Sequence, residues 1–205
     1  MAAAKLLLLQ DTQRIVARLR EFDPKRFQLQ PLKAGAANGD VHVNAADAAR
    51  LARTAALLVG GLGLEAQRGA SLLWQRDGNS LLVLPQKIVL TLGDGVLAFS
   101  IPVQCDQSGA TQVHVSFVVG DPKRPAGLVA VTEERPRGPA VVVDTWGDTL
   151  VAFAWHVVLQ MADSLAAETG LDEDGAALIP IALYATPNEL VVTPMARHAF
   201  DRKGA

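Results

Sequence analysis

The spacing of apolar residues changes period several times along this chain, and the changes outline its elements. Between Ala3 and Phe22, Leu8, Thr12, Ile15, Val16, Leu19 and Phe22 recur every three or four residues, with Asp11, Arg14 and Arg18 elsewhere. This predicts an amphipathic helix that stops before Pro24. Phe27 and Leu29 alternate with Gln28 and Gln30, a short strand ahead of the Gly/Asn/Ala loop at 34–40. Asn44 then caps a second helix, with Asp47 in its first turn, Gly60 and Gly61 at its end, and Ala48, Leu51, Ala52, Ala55 and Leu58 on one side.

From Ser71 to Asp144 the period becomes two and turn residues recur, which predicts an antiparallel meander. Asp94-Gly95 suits a type I′ turn joining 87–93 to 96–101, and a two-residue loop sets Ile88 opposite Ile101, Leu90 opposite Phe99 and Leu92 opposite Leu97. Asp77-Gly78-Asn79 joins 71–76 to 80–84, strands apolar on both faces and so expected centrally or beneath a second layer. Pro85 either ends its strand or bends one that continues to Leu92. Further strands are expected at 111–119, 127–134 and 140–144, linked by 120–125 and 135–139.

The stretch from Thr145 to Glu168 then loses its polar side. Leu150 to Met161 is interrupted only by His156 and Gln160, so the helix it forms must be buried on more than one side, either within the chain or partly by a second copy. Thr145 with Asp148 reads as a capping box and Gly170 as the stop; the apolar run is shorter than the ~20 residues of a membrane span. A last hairpin, 178–185 with 189–193, turns at Pro187-Asn188 and pairs Leu183 with Val192, Ala185 with Leu190 and Tyr184 with Val191. Pro180 and Pro194 mark it as a sheet edge, and the polar tail from Arg197 is expected to fray.

Composition narrows the function classes. Lys plus Arg (19) nearly balances Asp plus Glu (21) in 205 residues, which disfavours nucleic acid and anionic membranes as partners. Cys105 is the single cysteine, so no intrachain disulfide and no multi-thiolate zinc site is available, in keeping with a cytoplasmic location. The four leucines after Lys5 are too few for a secretory leader.

Several groupings resemble chemical sites, and each has a plainer explanation. Cys105 and His114 have the residue types of a thiolate–imidazole pair. Placing Leu97, Phe99, Ile101 and Val103 on the same face as Val113, Val115 and Phe117 turns Cys105 inward and His114 outward, with Gln112 and Ser116. Cys105 is then expected to be a buried, quiet thiol. Asp77, Asp94, Asp121 and Asp144 would share one end of the meander, but loops one hairpin apart lie roughly 10 Å from each other, against the about 2.3–2.6 Å that a shared Ca²⁺ needs. Lys123-Arg124 and Arg135/Arg137 fall at opposite ends. Val59-Gly-Gly-Leu-Gly-Leu64 follows a helix, where a phosphate loop follows a strand. His156 sits beside Trp155 with Gln160 a turn on, and Asp148 is too far along the axis to pair with it.

These patterns predict one α+β domain over 1–205: helical cover (1–70), antiparallel meander (71–144), central helix (145–169), hairpin (178–194) and tail (195–205). Catalytic groups, metal and cofactors are not expected, and the leading reading is a non-enzymatic protein-binding or assembly module, chaperone-like and homodimeric. The order helix, meander, helix, hairpin is similar to that of secretion-chaperone-like domains. The alternative is a small apolar ligand, bound or transformed in a pocket between the sheet and the helix 145–168 and lined by Trp155, His156 and Tyr184.

Overall fold

The computed structural model describes residues 39–62, 69–123, 126–127, 135–169, 175 and 178–196. The expected helix 3–22, the strand at 27–30, most of the strand at 127–134, the stop at Gly170 and the tail from Arg197 lie outside them. The fold is α+β, with two antiparallel sheets packed around one long helix.

Strand β1 (Val41–Asn44) leads directly into helix α1 (Ala45–Val59). Asn44 serves both: it pairs with Glu189 as the last residue of the strand, and its Oδ1 accepts the Asp47 N–H at 2.9 Å. An N-cap carbonyl satisfies one of the four donors a helix start leaves open, which is why the helix begins there. The buried side of α1 is Ala48, Ala52, Ala55, Ala56 and Leu57; Leu58, expected inward, is exposed. This stripe of small residues lets α1 lie close against the long helix.

The five-stranded sheet holds β2 (Leu72–Arg76), β3 (Asn79–Val83), β4 (Val89–Gly93), β5 (Val96–Cys105) and β6 (Gly109–Val118). The β2–β3 turn is two residues, Asp77 and Gly78, with φ of 48° and 79°, so the type I′ signature falls here and Asn79 belongs to the strand. This hairpin, expected centrally or beneath a second layer, has β2 as an edge strand, and Leu73 on its outer face points to solvent. Pro85 bends its strand. Both β3 and β4 pair with one side of β5, as Val83↔Val103 and Val89↔Ser100, and the 3-10 turn Pro85–Lys87 bulges out between them. Pro102 stands opposite the bulge and accepts the Leu84 N–H at 3.0 Å. In an antiparallel ladder a residue's N–H and C=O point the same way, so the N–H that proline lacks falls where no ladder acceptor stands.

Leu90↔Phe99 and Leu92↔Leu97 form as expected, but Ile88 caps the 3-10 turn and the ladder ends at Val89↔Ser100, one position short of the expected pairing with Ile101. The Asp94–Gly95 turn is not type I′: Gly95 has φ of 67°, while Asp94 stays out of the positive region. Tertiary bonds account for the departure. The Gly95 N–H donates to the Ala185 carbonyl (3.0 Å) and its carbonyl accepts from Val119 (2.8 Å), drawing the turn onto the second sheet.

The long helix α2 runs from Ala140 to Glu168. The strand expected at 140–144 is its first turn, and Thr145 and Asp148 are interior positions, not a capping box. Three consecutive valines carry no periodicity of their own. Their helical cost is roughly 0.5 kcal/mol each, and the burial of Val142 offsets it. The Pro139 carbonyl accepts the N–H groups of Val142 and Val143, which starts the helix. At 29 residues α2 is long and apolar enough by length and composition to cross a membrane, so the short-run objection no longer applies; 61% of its most apolar window is buried inside the protein. Trp146 and Phe153 pack on Trp74 with ring centroids 6.2 and 5.5 Å away, and Trp155 packs on Phe117 at 5.2 Å. Arg76 reaches from β2 to the Thr145 carbonyl (3.1 Å) and the buried Thr149 hydroxyl (3.3 Å), its guanidinium 5.6 Å from the Trp146 ring centroid.

The other side of α2 meets the second sheet, in the order β1, β9 (Glu189–Met195), β8 (Ile179–Ala185), β7 (Ala126–Gly127). Leu183↔Val192, Tyr184↔Val191 and Ala185↔Leu190 pair as expected, but the hairpin occupies the middle of the sheet and not its edge. The prolines keep their edge character locally: β1 pairs only with 189–192 and β7 only with 182–183, so neither reaches Pro180 or Pro194. Fifteen residues of α2 are buried within one chain.

Candidate functional site

The three residues expected to line an apolar pocket do not converge. Trp155 is buried against Phe117. His156, one position on, is half-buried. Leu183 and Ala185 join the core with α2, so the intervening Tyr184 projects from the opposite face of its sheet, which separates it from Trp155. There Tyr184 lies in a row with Val191 and His42. His42 Nδ1 is 3.0 Å from Glu189 Oε2, and the Thr193 hydroxyl donates to Asp40 at 2.7 Å. Burial, then the Asp40 and Glu189 carboxylates, push the Tyr184 phenol above its ordinary value, so it remains a hydrogen-bond donor at neutral pH. This patch ties β1 to β9. The contact between His42 and Glu189 is solvent-exposed, and exposed pairs of this kind contribute about 0–1 kcal/mol.

Cys105 pairs with Gly109 and His114 with Ser100, which puts them five positions apart on the ladder, roughly 17 Å at the usual rise. Parity holds: the odd positions of β5 face the core, and His114 is exposed. Yet Cys105 ends its strand only half-buried, with Sγ 3.1 Å from Ser108 Oγ. That hydrogen bond, outweighing desolvation, draws the thiol below its ordinary value, and the half-buried position corrects the expectation of a buried thiol. Cys105 opens on a shallow cleft of about 80 Å³ whose lining includes Asn79, Ser80, Asp106, Val141 and Trp146. Ligand pockets usually enclose about 300–1,000 Å³. Among the described residues no group of three or more His, Cys, Asp or Glu is placed to hold a metal. Asp144 lies in the first turns of α2, and Asp121 accepts the Lys123 N–H at 2.8 Å in a local turn.

Among the described residues, a broad exposed surface is the outer face of the five-stranded sheet. Its rows follow from the register: Leu73–Leu82–Gln104–Ala110, then Pro102–Gln112, Val89–Ser100–His114, Thr91–Ala98–Ser116 and Gly93–Val96–Val118, with Gln75–Ser80 at one corner. The inner rows are almost wholly apolar and belong to the core. The outer rows face solvent: Leu73, Val89 and Val118 are 43%, 51% and 47% exposed, and Ser100 Oγ donates across the surface to Gln112 Oε1 at 2.8 Å. Within β2 to β6 no row contains Asp, Glu, Lys or Arg, but the antiparallel bridge between His114 and Arg137 adds an exposed arginine to the end of the Val89–Ser100–His114 row. Arg76, Asp77, Lys87, Asp94 and Asp106, the charged residues of the segment, all lie at strand ends, in turns or in the 3-10 bulge. The free edge of β6 is closed at its middle, where Arg137 exchanges two backbone bonds with His114 (2.8 and 2.9 Å).

Sequence reasoning placed His114, Gln112 and Ser116 outward but did not collect the other outward positions. The signal was present in the complete exclusion of charge from strand interiors between 71 and 119. In comparisons with protein-family models, curated proteins and solved structures, nothing matches this chain.

Proposed function

We propose that the chain is a non-enzymatic protein-binding or assembly module of the cytosol that presents the outer face of its five-stranded sheet to a protein partner. The single observation carrying this reading is an exposed sheet face whose own five strands put no charged residue on it, Arg137 at the β6 edge being its flanking charge, on a protein with 20% charged residues. The buried centres of protein interfaces are depleted of charge, because each ion taken out of water must be paired. A sheet anchored from beneath by Phe99, Phe117 and Trp74 is also already ordered, so docking on it costs little conformational entropy.

The test compares partners captured by the wild-type protein with those captured by Ser100→Glu, which puts a charge in the central row, and by Ala46→Glu, an exposed site on α1. Partners lost with Ser100→Glu and kept with Ala46→Glu support the reading. Identical partner sets for all three, with melting curves unchanged, overturn it.

A further inference from the structure

We propose that the amphipathic segment 3–22 docks as a helix on the outer face of the four-stranded sheet, opposite α2, which makes this sheet the middle one of three layers. Burial on that face carries the argument. Side chains alternate along β9, and Leu190 and Val192 join the core around α2, so Val191 and Met195 point away from it. Ala182 and Tyr184 of β8 share their side. Yet Val191 is 0%, Ala182 1% and Met195 7% exposed. The five-stranded sheet shows what an open face looks like. Ala98 and Ser100, outward on β5 with strands on both sides, are only half-buried, and Val89 is 51% exposed. A valine without any exposure needs atoms above it as well as beside it.

No described element supplies those atoms. The small residues of α1 and the apolar ones of α2 belong to the same core as Leu190 and Val192, from which Val191, Ala182 and Met195 stand apart. The loop that bridges Gly120 to Tyr184 runs along the β8 edge, and its Pro122 and Lys123 are exposed.

Chain path, amphipathicity and charge select the occupant. Residues 1–38 enter the described structure at Gly39, and Asp40 is fastened to this face, its Oδ1 accepting the Thr193 hydroxyl at 2.7 Å. The connection 23–38 extends up to roughly 50 Å, enough to lay a helix of ~30 Å back across strands of about 24 Å. Leu8, Ile15, Val16, Leu19 and Phe22 give that helix one apolar stripe, the form that suits a helix resting on a sheet. By contrast, the stretch from Arg197 offers one large apolar residue, Phe200, and 128–134 follows β7 at the sheet's edge. Residues 1–38 contain seven Lys or Arg against three Asp or Glu, while the rim of the face carries the carboxylates of Asp40 and Glu189, so charge favours this seat. The docking closes one outer sheet face and leaves the five-stranded one to a partner, but it does not rest on that reading.

The experiment uses Tyr184, the chain's single tyrosine, as the reporter of this face. The purified full chain is nitrated with tetranitromethane, and Cys105 is alkylated in separate samples as the reporter of the other sheet. Tyr184 should react more slowly in the native wild type than in urea, and Ile15→Asp and Leu19→Asp should each speed its reaction severalfold while Cys105 keeps its native rate. Ala17→Asp, on the polar side of the same helix, should change neither. If an aspartate variant unfolds and Cys105 reacts at its urea rate, Ile15→Ala and Leu19→Ala repeat the measurement without adding charge. Tyr184 reactivity unmoved by the stripe substitutions, or raised as much by Ala17→Asp, overturns the docking. A wild-type mass of two chains that falls to one in Leu19→Asp overturns its intrachain form, because the segment would then cover a neighbouring copy.

Discussion

Gly95 is one of the points where the two sheets are joined, beside the bond from the Ala185 N–H to the Gly120 carbonyl, and replacing it separates the cost of a turn from the cost of that joint. Gly95 and Gly78 both occupy two-residue hairpin turns at positive φ, 67° and 79°. Their surroundings differ. A Cβ on Gly78 would meet nothing within 4 Å, whereas one on Gly95 would lie 3.2 Å from the Val119 carbonyl oxygen. That oxygen belongs to the backbone that also holds Gly95, through the Val119 N–H. Gly78→Ala should therefore cost only the left-handed conformation, about 1–2 kcal/mol. Gly95→Ala should add the crowding of a packed site, about 1–3 kcal/mol more. With an m-value of about 2 kcal/mol/M, the two urea midpoints should differ by roughly 0.5–1.5 M. Gly95→Val should fall further still. Equal losses for the two alanine variants, within about 0.5 kcal/mol, would mean that the seam yields freely and that the sheets are not rigidly coupled at this point.

Three further outcomes are expected. Trp155→Ala should lower the unfolding free energy by about 3–5 kcal/mol, because the indole fills space against Phe117; a loss under about 1 kcal/mol in a denaturant titration would contradict its burial. Arg76→Ala should cost about 1–3 kcal/mol through the loss of its bonds to Thr145 and Thr149, and Arg76→Lys should recover only part, since an ammonium cannot reproduce the planar fork. Cys105 should be alkylated in the native protein faster than an isolated thiol at neutral pH, and Ser108→Ala should slow it by raising the thiol back toward its ordinary value; an unchanged rate would remove Ser108 from the account.

Alternation and caps made much of the fold legible. Leu90 opposite Phe99, Leu183 opposite Val192 and Asn44 as the helix start all follow from local rules that tertiary structure reinforced. The misreadings occurred where local rules are silent. The valines at 141–143 fit strand and helix equally, and only the contacts of Val142 decide between them. Strand β1 is four residues long and owes its existence to β9, far along the chain. The turn at Asp94 was altered by a bond to Ala185 that no local signal announces. For the candidate site, information in the sequence went partly unused. The parity that set Tyr184 on the face opposite Leu183 already separated it from a helix packed on Leu183.

The pairing of β1 with β9 also bears on how the chain assembles. Every pairing between neighbouring strands from β2 to β6 joins residues at most 22 apart, Leu82 with Gln104 and Val96 with Val118 being the widest, so this sheet can form by successive local steps. Val41 and Val192 are about 150 residues apart, and closing such a loop costs roughly 2–3 kcal/mol more entropy than closing a ten-residue one. The four-stranded sheet is thus a clasp fastened late, after α2 has offered it an apolar surface to close upon. Native-state hydrogen exchange should find the amides of β5 and β6 opening only with the whole molecule, and those of β1 opening sooner. The same slow step leaves the apolar back of α2 uncovered for as long as the clasp stays open, making the interval before β9 arrives the period of greatest exposure to aggregation.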